Sequence, residues 1–97
     1  MFAIKKTERI PVNGIDHFLY DTYLTTDGGF YSLNAISETA NDLHIKWFDF
    51  RLDAHNYLDD VIFPGYAELI ERNVPINDWF EIVDFLYIKV REEKENE

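Results

Sequence analysis

The stretch DAHNYLDD, residues 53–60, sets Asp53, His55, Asp59 and Asp60 within eight positions. Carboxylates beside imidazole are the material of metal sites and of acid–base pairs. Asp53 and His55 are two apart, as on one strand face, whereas His55 and Asp59 are four apart, as on one helix face. A metal site needs three or four ligands converging at about 2 Å, and two pairings that demand different backbone conformations do not make one. No His-Glu-x-x-His pair and no glycine-bearing calcium loop can be read in the chain.

The catalytic readings fare no better. His17, His44 and His55 are each candidate bases with Asp16, Asp42 or Asp53 as partners, but adjacency in sequence does not supply the geometry such roles require. Ser32 and Ser37 stand outside any nucleophile elbow, and Asp27-Gly28-Gly29 lacks the lysine and following helix of a phosphate loop. The expectation is therefore no metal, no cofactor and no enzymatic activity, with DAHNYLDD forming part of an extended anionic surface.

The elements that position this surface must come from 97 residues, 46% of them hydrophobic and including eight Phe, six Tyr and two Trp. That is ample for one core, since each aromatic removes roughly 150–250 Å² from water, and a single domain over 1–97 is expected, its tail 92–97 frayed. Phe2–Lys6 reads as a strand, with Pro11 and Asn13-Gly14 marking a turn after it. Ile15–Thr25 and Phe30–Thr39 flank Asp27-Gly28, a hairpin signal because glycine adopts positive φ cheaply. Leu43–Leu52 alternates and predicts a third long strand, with Phe48, Phe50 and Leu52 turned inward and Trp47 left outside the core. From Tyr57 the apolar spacing becomes helical, giving a turn before Pro64 and a helix from Pro64 to Arg72 that Asn73-Val74-Pro75 stops. Asn77 or Asp78 offers a cap for a last helix, and residues 84–91 fit either its continuation or an edge strand. The fold class predicted is α+β: an antiparallel sheet of three to four strands with two helices packed on one face.

Function is addressed chiefly by charge. Nineteen Asp and Glu against nine Lys and Arg give −10, with no Cys. Ile10–Ile45 holds Asp16, Asp21, Asp27, Glu38 and Asp42 with no Lys or Arg, and Leu52–Glu71 holds Asp53, Asp59, Asp60, Glu68 and Glu71, again with none. A field of this sign repels nucleic acid and anionic membranes and steers basic partners inward. The absence of Cys and of a signal-length apolar run at the N-terminus predicts a cytoplasmic protein.

Helix-face carboxylates spaced about 5–6 Å apart suit a surface built for backbone phosphates. In size, acidity and aromatic content the chain resembles the broad class of small acidic proteins that includes anti-CRISPR proteins and immunity proteins of nuclease toxins. The resemblance implies a non-enzymatic inhibitor or decoy that mimics nucleic acid and binds a basic nucleic-acid-binding protein, a nuclease or a nucleoprotein complex. The partner-binding residues read from the charge pattern are Asp53, Asp59, Asp60, Glu68 and Glu71, with Tyr57 and Tyr66 as aromatic anchors. The alternative is a generic interaction or structural module that uses an aromatic sheet face around Trp47, with self-association as one form of it.

Overall fold

The computed structural model describes residues 1–38 and 44–95, with the side chains of 8–12, 16–20, 37–38 and 94–95 outside that description. Four antiparallel strands form one sheet in the order β3-β2-β1-β4: β1 is Phe2–Val12, β2 Ile15–Leu24, β3 Phe30–Tyr31 and β4 Phe80–Asp84. The helices are α1 (Leu33–Glu38), α2 (Arg51–Tyr57), α3 (Ala67–Glu71) and α4 (Phe85–Glu95). The fold is thus α+β. Asn13 and Gly14 join β1 to β2 at φ +54° and +78°, the two positive angles of a type I′ turn, whose twist matches the strands it connects.

Alternation along the strands separates two apolar clusters. Ile4, Leu24, Phe80 and Ile82 face one side of the sheet, where Ala54, Leu58 and Ile62 cover them. Ala3, Tyr23 and Val83 face the other, where Leu33 of α1, Ile45 and Ile88 of α4 close over them. The helices therefore divide between both faces instead of gathering on one, because the sheet is apolar on each side.

Two-sided covering accounts for where the pattern misleads. Between residues 44 and 48 the chain crosses the end of the sheet and pairs at only two points, Ile45 with Thr25 and Phe48 with Phe2. It is not the long strand expected over Leu43–Leu52, whose first residue lies outside the described ones. Helix α2 begins at Arg51, and Phe50 and Leu52, expected inside, are 68% and 67% exposed. Trp47, expected outside, is half-buried against the second cluster with its ring centroid 5.5 Å from that of Phe85. The alternation was real, but Ile45 and Trp47 have a covered face of their own.

The hairpin at Asp27-Gly28 forms, with a second arm of two residues, Tyr23 pairing with Tyr31 and Leu24 with Phe30. Ser32 then starts α1 by accepting the Ala35 N–H, so Leu33–Glu38 is helix where a strand was expected to Thr39. At the C-terminal end strand precedes helix. Phe80 and Ile82 point to one cluster and Val83 to the other, which erases the strand's polar alternation. Asp84, not Asn77 or Asp78, caps the last helix, accepting the Tyr87 N–H at 2.8 Å. Helix α4 continues to Glu95, through the segment expected to fray, and residues 96–97 lie outside the described ones.

Leu58→Ala removes a side chain that is 6% exposed and is expected to cost about 2–5 kcal/mol. Leu52→Ala, six positions earlier in the same helical stretch, is expected to stay within about 0.5 kcal/mol. Chemical denaturation of both checks the placement; equal losses would return Leu52 to the core.

Candidate functional site

Arg51–Glu71 is an unbroken helical ribbon: α2, a π turn over Leu58–Ile62, a 3-10 turn over Phe63–Tyr66 and α3. Ala54, Leu58 and Ile62 are buried at successive four-residue steps. Each such step overruns the α-helical period by about 40°. The wider π turn takes up that drift and keeps all three on the sheet side. Pro64 sits in the first turn of the 3-10 segment, where its missing N–H costs nothing, so the chain stays helical through Pro64-Gly65. Asn73, at φ +62°, ends the ribbon in the left-handed conformation common after a helix.

The buried stripe dictates the exposed one. Asp53, Asp59, Asp60, Glu68 and Glu71 are all exposed, and among the described residues none of them is in a salt bridge. The ribbon therefore presents its five carboxylates to solvent with no salt bridge to them among the described residues.

Lysines and arginines lie over aromatic rings, among them two tyrosines of the ribbon itself. Lys5 lies 5.2 Å from the Tyr87 ring centroid, Lys6 5.6 Å from Phe30 and 5.8 Å from Tyr66, and Lys46 5.3 Å from Tyr57. Arg51 covers Phe2 at 4.9 Å and donates from Nη1 to the Ile82 carbonyl at 3.3 Å. Lys89 and Arg91 lie over Phe85 and Tyr87. Each such contact is worth roughly 0.5–1 kcal/mol at an exposed site. Positive charge is thus laid over rings of the sheet, of α4 and of the ribbon's own Tyr57 and Tyr66, while the five ribbon carboxylates stay exposed.

Tyr57 and Tyr66 are half-buried parts of that arrangement. The Tyr57 ring packs 5.5 Å from Phe48, and Tyr66 packs 6.1 Å from Trp79 and 5.8 Å from Phe80. Each ring is engaged by the core on one side and by a lysine over its face. Beside the ribbon, His55, Leu58, Asp59, Phe63, Asn77 and Phe80 line a groove of about 420 Å³. Of its residues only Asp59 belongs to the partner-binding set read from the charge pattern; His55, Leu58 and Phe63 come from the same ribbon, and Asn77 and Phe80 come from a separate segment.

The described acids of the earlier window, Asp21 and Asp27, make their contacts elsewhere. Asp21 lies on the α4 side, accepting from Thr7 at 3.2 Å and from the Tyr87 hydroxyl at 3.5 Å. There Lys5 also pairs with Glu81 at 2.7 Å; burial pulls the Lys5 ammonium down, but Glu81, Asp21 and Tyr87 outweigh it and hold its pKa above the usual lysine value. Asp27 closes the β2–β3 turn, accepting from the Thr25 hydroxyl, the Gly29 N–H at 2.8 Å and the Tyr31 hydroxyl at 3.0 Å. The side chains of Asp16 and Glu38, and all of Asp42, lie outside the described residues. Among the described residues no three carboxylate or imidazole groups are placed to hold a metal ion, and no helix is long and apolar enough to cross a membrane.

The Thr25 hydroxyl, foremost, and the Gly29 N–H favour the Asp27 carboxylate and hold its pKa below the usual aspartate range. A carboxyl with a lowered folded-state pKa adds stability above its unfolded value of about 3.9, and that increment is lost as pH falls through the folded pKa. An NMR titration is expected to give Asp27 a lower midpoint than the same residue in a free peptide, and Asp27→Asn is expected to weaken the acid dependence of stability below about pH 4. A midpoint at or above the peptide value would contradict the turn geometry. Comparisons of the chain with protein-family models, with curated proteins and with solved structures return no significant match.

Proposed function

We propose that this protein is a non-enzymatic binding protein whose Arg51–Glu71 ribbon docks on a basic surface of a partner protein, occupying it as a nucleic-acid backbone would. The observation that carries the reading is the exposure of the five ribbon carboxylates, without salt bridges among the described residues, while Lys6, Lys46 and Arg51 are laid over aromatic rings. The partner class is a nuclease or nucleoprotein complex, and the biological role is that of an inhibitor of the anti-CRISPR or toxin-immunity kind, acting in the cytoplasm. Of the ribbon acids only Glu68 and Glu71 stand three apart, about 5–6 Å on a helix face; together the five offer a groove lined with Lys and Arg a surface of negative charge. Complementary fields accelerate encounter, and a few desolvated contacts set the lifetime. Within the ribbon, Asp59 on the rim of the groove and the neighbouring Asp60 are the acids best placed to combine the two.

The experiment is affinity capture from lysate of the source cells, washed at low and then high salt, with Asp59→Lys/Asp60→Lys as the second bait. The expected catch is a basic nucleic-acid-binding protein that elutes with salt and is depleted about tenfold or more on the charge-reversed bait, since each 1.4 kcal/mol is a factor of ten. A partner held equally by both baits, or retained through high salt, would overturn the electrostatic reading.

A further inference from the structure

The sheet has an edge that no other part of the described chain covers. β4 pairs with β1 only over Phe2–Lys6, and β3 pairs with β2 only at Tyr23 and Leu24. Beyond these points β1 and β2 continue together as a two-stranded ribbon to the Asn13-Gly14 turn. Such a ribbon is marginal by itself in water, and its open backbone groups template a further strand.

The two outer edges of that ribbon differ. A two-residue I′ turn is closed by a hydrogen-bonded pair, here Val12 and Ile15, so the next pair, Pro11 and Asp16, directs its backbone groups outward. On β1 that outward position is a proline, which has no N–H to offer a visiting strand. β4, the other edge, is also guarded: its Ile82 carbonyl accepts Arg51, and the Phe80 N–H bonds to the Asn77 carbonyl. β2 has neither device among the described residues. The Thr25 N–H meets Gly29 on the outer side, so Tyr23 and Asp21 also face outward; across the irregularity at Glu8/Arg9, so do Phe18 and Asp16. Ile15–Leu24 contains no Lys or Arg; the Asp21 carboxylate is engaged on the α4 side, so the charge that favours a basic strand here is the chain's net −10 together with Asp16.

We propose that the outer edge of β2, from Ile15 to Thr22, accepts an added β-strand from an extended, lysine- or arginine-bearing segment of another protein. Main-chain hydrogen bonds supply the affinity in this mode of recognition, and charge selects the strand. A second copy of this chain is the poorer occupant, because at −10 each copy repels the other. The proposal does not depend on the Arg51–Glu71 ribbon.

The test uses the full chain and a synthetic ten-residue peptide of alternating valine and lysine, with a valine–glutamate peptide as control, read by amide hydrogen exchange. Exchange at Asp16, Phe18 and Asp21 is expected to slow about tenfold or more with the lysine peptide, less at high salt, and not with the glutamate peptide. Asp16→Pro, which places on β2 the guard that β1 carries, is expected to abolish the effect, whereas Asp16→Asn weakens it. Asp59→Lys/Asp60→Lys is expected to leave it intact, which separates this edge from the ribbon. Unchanged exchange, protection at Ile82 and Asp84 instead, loss in the ribbon variant, or protection that rises with protein concentration in the absence of peptide would each overturn the proposal.

Discussion

Ala3 and Ile4 are adjacent on β1, neither has exposed surface, and they face opposite sides of the sheet. A small chain that buries both faces of one strand must find two covers for it, and that requirement organises the molecule. α2 and the turns that follow close one face, while α1, the 44–48 crossing and α4 close the other. The next two residues of β1 are Lys5 and Lys6, again on opposite faces. Each finds an aromatic ring on its own side, Tyr87 for Lys5 and Phe30 with Tyr66 for Lys6. The strand that nucleates both clusters also brings cations to both.

Electrostatic form follows from that core. Lysine and arginine stems pack well against rings while their heads stay wet, so the rings that wall the clusters also gather the positive charge. Carboxylates have no equivalent attraction to a ring face, whose quadrupole is negative. They remain on the solvent side of the ribbon, where Ala54, Leu58 and Ile62 fix which way the helix turns. The functional proposal rests on this uneven distribution more than on the total of −10.

How much of this was legible in the sequence depends on whether a residue's local neighbours set its position. Asn13-Gly14 and Asp27-Gly28 were readable because positive φ is a demand of the backbone itself, and both turns form. The ribbon acids were readable because a five-acid stretch without a cation can only face water. Leu43–Leu52 was not, because alternation reports a strand with one covered face, and here Ile45 and Phe48 serve opposite clusters. Phe80–Asp84 was hidden for the same reason. The two acidic windows read alike along the chain, yet Asp21 and Asp27 are tied into local hydrogen bonds. Among the described acids only those of the second window make an open surface. Tyr57 and Tyr66, read as anchors, are held by Phe48 and by Trp79 and Phe80, contacts that no local spacing announces.

The central claim is that the ribbon takes the place of a nucleic-acid backbone on its partner. The most direct measurement is competition: a fluorescent duplex or single strand bound to the captured basic partner, titrated with this protein at fixed salt and followed by anisotropy. The account predicts that the nucleic acid is displaced at one molar equivalent and that Asp59→Lys/Asp60→Lys displaces it far less effectively. A ternary complex, with nucleic acid and protein bound together at saturation, would contradict it.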